Sequence, residues 1–282
     1  MHINETVSKN GSLIDLHIHS TYSDGLFTPT EIIEHAKARQ LKAISITDHD
    51  TVAASQSAAK LGVEHGIEVV SGIEMSLSCN GCEVHLLGYF FDDQSGPIKE
   101  YAEMLMGSRD DRARKIVKAL QQQGMGISFE QVAEKANGSP IGRPHIAAVL
   151  IEEGHVFSAY EAFQKYLGEK KSADIPKDTV EPKKAIEMIK DAGGLTFIAH
   201  PATIQCCEEA LKELVSYGLD GLETIHPKHN IDTQKHFHEV AQKYNLLESG
   251  GSDCHGGREG VVMIGKPPVP FLFLQRMKER LA

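Results

Sequence analysis

The run Leu13-Ile14-Asp15-Leu16-His17-Ile18-His19 sets two histidines two positions apart in an apolar stretch. In an extended chain alternate side chains share a face, so both imidazoles can converge on one cation. Asp24 follows in a Ser23-Asp24-Gly25 turn, where an aspartate is equally a turn former. A second apolar run, Ala43-Ile44-Ser45-Ile46, passes straight into Thr47-Asp48-His49-Asp50, a histidine flanked by two acids. Asp48 and Asp50 would either orient the His49 ring or cap a helix. Glu74 closes a third run, His85 lies between Val84 and Leu86, and His200 follows Leu195-Thr196-Phe197-Ile198-Ala199. Asp253 and His255 come just after Gly250-Gly251 at the end of a further run. Each residue alone has a bland explanation as a cap, a turn or a satisfied core histidine. Their recurrence at the ends of separate apolar segments, or in the adjoining loops, points to a metal centre. His17, His19, Asp24, His49, Glu74, His85, His200, Asp253 and His255 are more ligands than one ion with open water positions uses, so two or three divalent ions are expected. Mixed imidazole and carboxylate ligation suits manganese, zinc or iron, whereas an all-oxygen set would suit magnesium or calcium.

Such side chains need a scaffold that delivers them to one place. Short apolar runs at 13–18, 43–46, 67–71, 84–91, 195–199, 219–225 and 246–249 alternate with helical patterns. The clearest helix start is Thr28-Pro29-Thr30-Glu31, which combines an N-cap, a first-turn proline and a capping-box glutamate. Alternation of this kind predicts an α/β chain with a mainly parallel sheet, and strand ends are where barrel enzymes keep their catalytic groups. From about Gly96 to Glu181 the rhythm changes to helices: a long charged one near 98–123 and shorter ones after Ser128, Ile141 and Ser158. Ser128-x-x-Gln131 and Ser158-x-x-Glu161 are capping boxes. The expected organisation is a barrel domain over 12–95 and 182–282, with residues 96–181 inserted as a helical subdomain that caps its mouth.

Composition limits the alternatives. With 282 residues, 41% hydrophobic and 24% charged, the chain can bury a large core, and no apolar run is long enough to span a bilayer. No membrane role is expected. The opening segment MHINETVSKNGS has no secretory pattern, which predicts a cytoplasmic protein. A net charge of −10 argues against long duplex nucleic acid as a partner. Five cysteines without a disulfide framework fit a reducing compartment, and Cys79-Asn80-Gly81-Cys82 reads as a turn in preference to a zinc or redox pair.

Taken in order, Asp15-Leu16-His17-Ile18-His19-Ser20, Thr47-Asp48-His49-Asp50, Gly72-Ile73-Glu74, Ala199-His200-Pro201 and Ser252-Asp253-Cys254-His255 resemble the PHP family, named for polymerase and histidinol phosphatase. The resemblance runs over roughly 13–265. It implies a distorted (β/α)7 barrel with a helical insertion and a trinuclear site at the strand ends. Position by position, it would give His17, His19, Glu74 and Asp253 to one ion, Glu74, His85 and His200 to a second, and Asp24, His49 and His255 to a third, with Glu74 bridging. Some members carry histidine where this chain has Asp24. The Gly142-Arg143-Pro144-His145 segment is similar to the subgroup acting on nucleotides, and Pro144 would place Arg143 and His145 at a helix N-terminus that favours an anion. Alternatively Arg143 ties down the insertion. His226 and His229, after a further strand, and Arg258 would reach the substrate rim.

The implied reaction is hydrolysis of a phosphomonoester by a hydroxide held between two ions, with Arg143, His145 and His226 as catalytic groups. The preferred substrates are a nucleoside 5′-monophosphate or 3′,5′-bisphosphate, or the 5′ end of a short single-stranded oligonucleotide. Histidinol phosphate and a non-catalytic regulatory metal module are the alternatives.

Overall fold

The computed structural model describes residues 13–168, 170–257 and 261–282. Segment 1–12, read above for a leader, and the rim candidate Arg258 lie outside these residues. Strand β1 (Leu13–Ile18) leads through a loop to α1 (Pro29–Ala38). There the Thr28 side chain accepts from Glu31 N while the Glu31 carboxylate accepts from Thr28 N, the reciprocal cap expected from sequence. Pro29, Ile32, Ile33 and Ala36 form the buried face of α1 at helical spacing. Strands β2 (Ala43–Ile46) and β3 (Glu68–Val70) flank α2 (Ser55–His65), and both pairings, β1 with β2 and β2 with β3, are parallel.

The chain then departs from the expected alternation. Glu74 does not close the third strand. It lies inside a separate strand, β4 (Gly72–Cys79), antiparallel to β5 (Cys82–Tyr89). Asn80 and Gly81 between them adopt φ of 49° and 80°, the double left-handed conformation of a tight hairpin turn, so Cys79-x-x-Cys82 is indeed a turn. Cys82 is nevertheless bonded to Cys206, which corrects the expectation of five unpaired thiols. The pairing joins positions 124 apart in sequence, and neither neighbourhood signals the other in the chain.

Helices α3 (Gly96–Gln121), α4 (Phe129–Ala136), α5 (Arg143–Glu152) and α6 (Ala159–Ala162), the last running into a π turn at Phe163–Leu167, fill the segment read as an insertion. The Ser128 box forms as expected. At Ser158 only half of the predicted box forms, because Glu161 reaches one residue further back to Phe157 N at 2.8 Å. Ala113, Ile116, Leu120, Val132, Ile146, Leu150 and Leu167 pack into a core of their own, whereas Ile98, Tyr101 and Leu105 at the start of α3 pack against the sheet. One helix thus belongs to both cores.

The remainder is α7 (Pro182–Asp191), β6 (Leu195–Ile198), α8 (Cys207–Ser216), β7 (Gly221–Ile225), α9 (Ile231–Tyr244), β8 (Leu247–Gly250), β9 (Val269–Pro270) and α10 (Phe271–Leu281). Two sheets result, ordered β3-β2-β1-β9 and β4-β5-β6-β7-β8. Among the described residues four strand pairings are parallel, as expected, but β9, β4 and β5 enter three antiparallel ones, so the fold is mixed α/β. Single parallel bridges join the sheets at two seams, Ile18 with Cys254 and His49 with Glu74. Asp253 N donates to His17 O at 2.8 Å across the first seam, and Asp50 N to Glu74 O at 2.9 Å across the second. Ile14, Leu16, Tyr89, Phe197 and Ile225 form a shared core between the sheets. Among the described residues no helix is long and apolar enough to cross a membrane.

Candidate metal centre

Both seams are made by residues next to, or among, the predicted ligands, so the joining of the sheets is what gathers the site. His17 Nε2 and His19 Nε2 lie 3.2 Å apart at the end of β1. Glu74 Oε2 stands 3.3 and 3.1 Å from them, and Asp253 Oδ1 3.5 and 3.2 Å. The backbone makes this approach possible at Gly251, where an added Cβ would fall 2.4 Å from the His17 Cβ. Two further groups have ligand atoms close enough to share an ion: His19, Asp24, His49 and His255, and His49, Glu74 and His85. His200 is brought to Glu74 Oε1 at 3.0 Å, beside His85 Nδ1 at 2.8 Å, but the tight group around His85 is completed by His49 instead. Glu74 belongs to two of the three groups, one oxygen toward His85 and His200 and the other toward His17, His19 and His49.

The electrostatics fit cation binding. Burial opposes ionisation of Glu74, but the imidazoles of His49, His85 and His17 outweigh it and hold the carboxyl well below its usual range. Asp253 and Asp24 are likewise buried yet held well below the ordinary aspartate value, chiefly by His17 and by His255 respectively. Burial works against protonation of His19, and bonds to Asp253 and Glu74 overcome it, raising the ring to about 10. His17 is raised as well, so these two protonated rings balance the carboxylates, a task a divalent ion performs with higher charge density, whereas burial pushes His49 and His200 down. His19 Nδ1 and His49 Nδ1 are buried without a hydrogen-bond partner among the described residues, as donors reserved for a ligand would be. The mixed nitrogen and oxygen donors suit manganese, zinc or iron.

A supporting layer orients the ligands. Glu223 Oε1 lies 3.1 Å from His17 Nδ1, and its other oxygen accepts from His200 N at 2.7 Å. Glu223 lies in the middle of β7, a fully buried acid inside an apolar run, as Glu74 is inside β4, and the expectation at this strand had fallen on His226. His226 and His229, expected at the rim, are buried in this structure, 1% and 3% exposed. His226 Nδ1 accepts from Lys228 N at 3.1 Å, which leaves the Nε2 proton for Asp253 at 3.2 Å. His229 Nδ1 donates to Thr224 O at 3.0 Å, inside its own loop. Asp48 and Asp50 do not bond the His49 ring. Asp48 accepts from Ser20 N, Ser20 Oγ and Ser23 Oγ, and Asp50 from Ser76, Tyr101 and Arg109.

The inserted segment supplies the surroundings. His145 Nδ1 accepts from Gly142 N at 3.1 Å, capping α5, and Arg143 donates to Leu167 O at 3.2 Å. Gly142 abuts Asp24: a Cβ there would meet the Asp24 side chain at 3.9 Å. A cavity of about 590 Å3 opens beside this junction, lined by Ser23, Gly25, Leu26, Pro144, His145 and Phe157 among others. Lys177 Nζ lies 3.2 Å from His85 Nε2 and pairs with Glu83. No periodicity marks Lys177, which lies outside the named helices and strands.

A fold of two seamed sheets carrying clustered imidazoles and carboxylates has close counterparts. A solved structure from Bifidobacterium adolescentis, assigned as a metal-dependent phosphoesterase, superposes with a TM-score of 0.87 at 27% identity, covering 95% of this chain and 96% of that one. A 5'-3' exoribonuclease of Haemophilus influenzae is 32% identical over 245 residues, covering 86% of this chain and 89% of the relative. A 3',5'-nucleoside bisphosphate phosphatase of Chromobacterium violaceum is 31% identical over 265 residues, covering 91% and 93%. The protein is a metal-dependent phosphoesterase. The PHP domain model matches residues 15–168, more than half of the chain, and the chain belongs to the PHP family.

Proposed function

We propose that the protein hydrolyses a phosphomonoester of a small nucleotide: a nucleoside 5′-monophosphate, a 3′,5′-bisphosphate or the 5′ end of a short single-stranded oligonucleotide. The observation that carries the reading is the set of three ligand groups that overlap at His19, His49 and Glu74, which suits two or three closely spaced ions on a single phosphoryl group. In this reading the seamed sheets are the wall of a distorted (β/α)7 barrel, over 12–95 and 182–282, and 96–181 caps its mouth. His17, His19, Glu74 and Asp253 hold one ion, Glu74 and His85, with His49 or His200, a second, and Asp24, His49 and His255 a third. Manganese, zinc or iron bound there would acidify water at neutral pH and neutralise charge on the phosphoryl oxygens.

The chain's own groups do the rest. Glu223 and His226 fix the rings and carboxylate around His17 and Asp253. Arg143 grips phosphate, with two parallel donors available to an anion. His145, whose Nδ1 caps α5 and whose ring lines the cavity, and His226, beside Asp253, are the candidate proton donors to the leaving alkoxide. The cavity is of the size that encloses a small ligand, about 300–1,000 Å3, and its apolar wall with Phe157 suits a nucleobase. Two of the relatives are named for nucleotide and RNA substrates, which supports the same choice. The cytoplasm supplies such substrates, and the acidic chain has no need of duplex DNA.

Phosphate release by manganese-loaded protein is the test. The panel is adenosine 5′-monophosphate, its 3′,5′-bisphosphate, a 5′-phosphorylated oligonucleotide and histidinol phosphate, with His17→Ala as control. Preference for a nucleotide supports the proposal. Preference for histidinol phosphate replaces it, and silence across the panel with metal bound points to a regulatory module.

A further inference from the structure

Strand β5 and the end of β6 carry His85 and His200 to the same carboxylate oxygen, Glu74 Oε1, at 2.8 and 3.0 Å, with their ring centroids 5.3 Å apart. The antiparallel ladder between the two strands ends at this point, its last bond running from Ala199 N to His85 O at 3.0 Å. Beyond that bond one chain continues to the hairpin turn at Asn80-Gly81 and the other into the loop before α8. Among the described residues no backbone hydrogen bond joins residues 82–84 to 200–206. The Cys82–Cys206 bond joins them instead, so His85 and His200 lie inside a ring closed at one end by the ladder and at the other by sulfur. A crosslink removes the conformations in which two such segments separate. His200 needs the restraint. Its φ of 28° is a backbone conformation that persists only when its surroundings impose it. Glu223 holds the His200 N–H, and the crosslink holds the chain that follows. Asn80 adds an exposed bond to Glu213 at 2.9 Å, which water can replace. Cys82 and Cys206 are half-buried, within reach of a small thiol. The neighbouring thiols compete poorly for the bond, because burial pushes Cys79 up to about 12 and Cys207 up to about 11, far from the thiolate that attacks a disulfide.

We propose that Cys82 and Cys206 form a reversible thiol–disulfide switch that sets how tightly an ion shared by Glu74, His85 and His200 is held. The inference rests on the reading of these three residues as ligands and is independent of the substrate. The reductant is a pair of small-molecule thiols such as glutathione. They give two electrons to the S–S bond, their two protons pass to the Cys82 and Cys206 sulfurs, and the disulfide of the small thiol is released. The hairpin tip and the loop are then free to separate, and fewer restraints hold His200 at Glu74. In the reducing compartment expected from the sequence, a bond of this kind responds to redox state instead of acting as a permanent staple. By linkage, an ion that binds the crosslinked form more tightly makes the bond harder to reduce by the same factor.

The experiment measures manganese affinity by competition with a chelator. The samples are wild type equilibrated at oxidising and reducing glutathione ratios, and Cys82→Ser, Cys206→Ser and Cys207→Ser, with the state of the bond read by alkylation and intact mass. The expected result is one ion held about tenfold less tightly in reduced wild type, and in Cys82→Ser and Cys206→Ser at either ratio, while Cys207→Ser follows wild type. Saturating manganese should in turn make the wild-type bond about tenfold harder to reduce, a shift of about 30 mV. Equal affinities in oxidised and reduced wild type overturn the switch, as does a Cys82 and Cys206 pair that stays fully alkylated at every ratio. Glu74→Gln separates the two layers of the inference. If it holds manganese as tightly as wild type, the ligand reading fails and takes the switch with it; if it binds weakly while redox state leaves wild type unchanged, the switch alone fails.

Discussion

Glu74 has its two carboxylate oxygens turned toward different histidines, and that division requires imidazoles arriving from several strands at once. The residues that converge there were legible because most interrupt or end an apolar run, where a charged or titratable side chain needs a reason. Glu223 carries the same signal, but its role depends on what His17 and His200 need behind them, which only the packed structure supplies. Replacing Glu223 with alanine should weaken metal binding about 10–100-fold, read by competition with a chelator, because His17 loses the acceptor that fixes its ring. Unchanged affinity would show that the bond is incidental. Cys207 gives a pH-dependent test. Burial, then Glu209 and Glu208, push its thiol up to about 11, and the thiolate is the reactive form. At pH 8 its alkylation should run about a hundredfold slower than that of an unshifted cysteine, and the rate should keep climbing beyond pH 10. A plateau near pH 9 would contradict the shift.

Among the elements, helix starts were the most readable feature, because a capping box is local: Thr28 with Glu31 and Ser128 with Gln131 form as their spacing requires. Strand direction was less readable. The run closed by Gly72-Ile73-Glu74 looked like one strand, but Ser71 separates β3 from β4, and the Asn80-Gly81 turn then sends β5 back antiparallel. The two seams were invisible, because a single bridge leaves no periodic trace. Helix α3 links the two cores, and its main polar anchor is Arg109 on Asp50. Burial opposes ionisation of Asp50, but Arg109 and Lys177 outweigh it and hold the carboxyl below its usual range. Asp50 is 0% exposed and Arg109 8%, so Arg109→Met strands a buried carboxylate at a cost of about 3–5 kcal/mol in urea unfolding. Loss of the exposed Thr28 cap in Thr28→Ala costs only about 1 kcal/mol. Equal effects would mean that water already solvates Asp50.

For the molecule as a whole, the sheets are joined at their seams by few backbone bonds, and the same places concentrate carboxylates and imidazoles. Ions bridging Glu74, His17, His49 and Asp253 would therefore crosslink the two sheets as well as serve chemistry. Metal binding should then appear as global stability. A ligand that binds only the folded state stabilises it according to its excess over Kd, which at a hundredfold excess is about 2.7 kcal/mol. Chelated protein titrated with manganese to that excess should gain about this much in urea unfolding, with a single transition. In Glu74→Gln, where one of the two oxygens of a residue shared by two ligand groups becomes an amide nitrogen, the gain should shrink and phosphate release should disappear. The control is Thr28→Ala, which starts from lower stability but should gain the full metal increment, because its cap lies outside all three groups. If Glu74→Gln keeps the whole increment, the ions do not bridge the seam and the sheets are held by their shared core alone. If instead the metal-dependent gain is confined to one of two resolved transitions, the inserted helical core unfolds separately from the sheets, as its own cluster of buried side chains would permit.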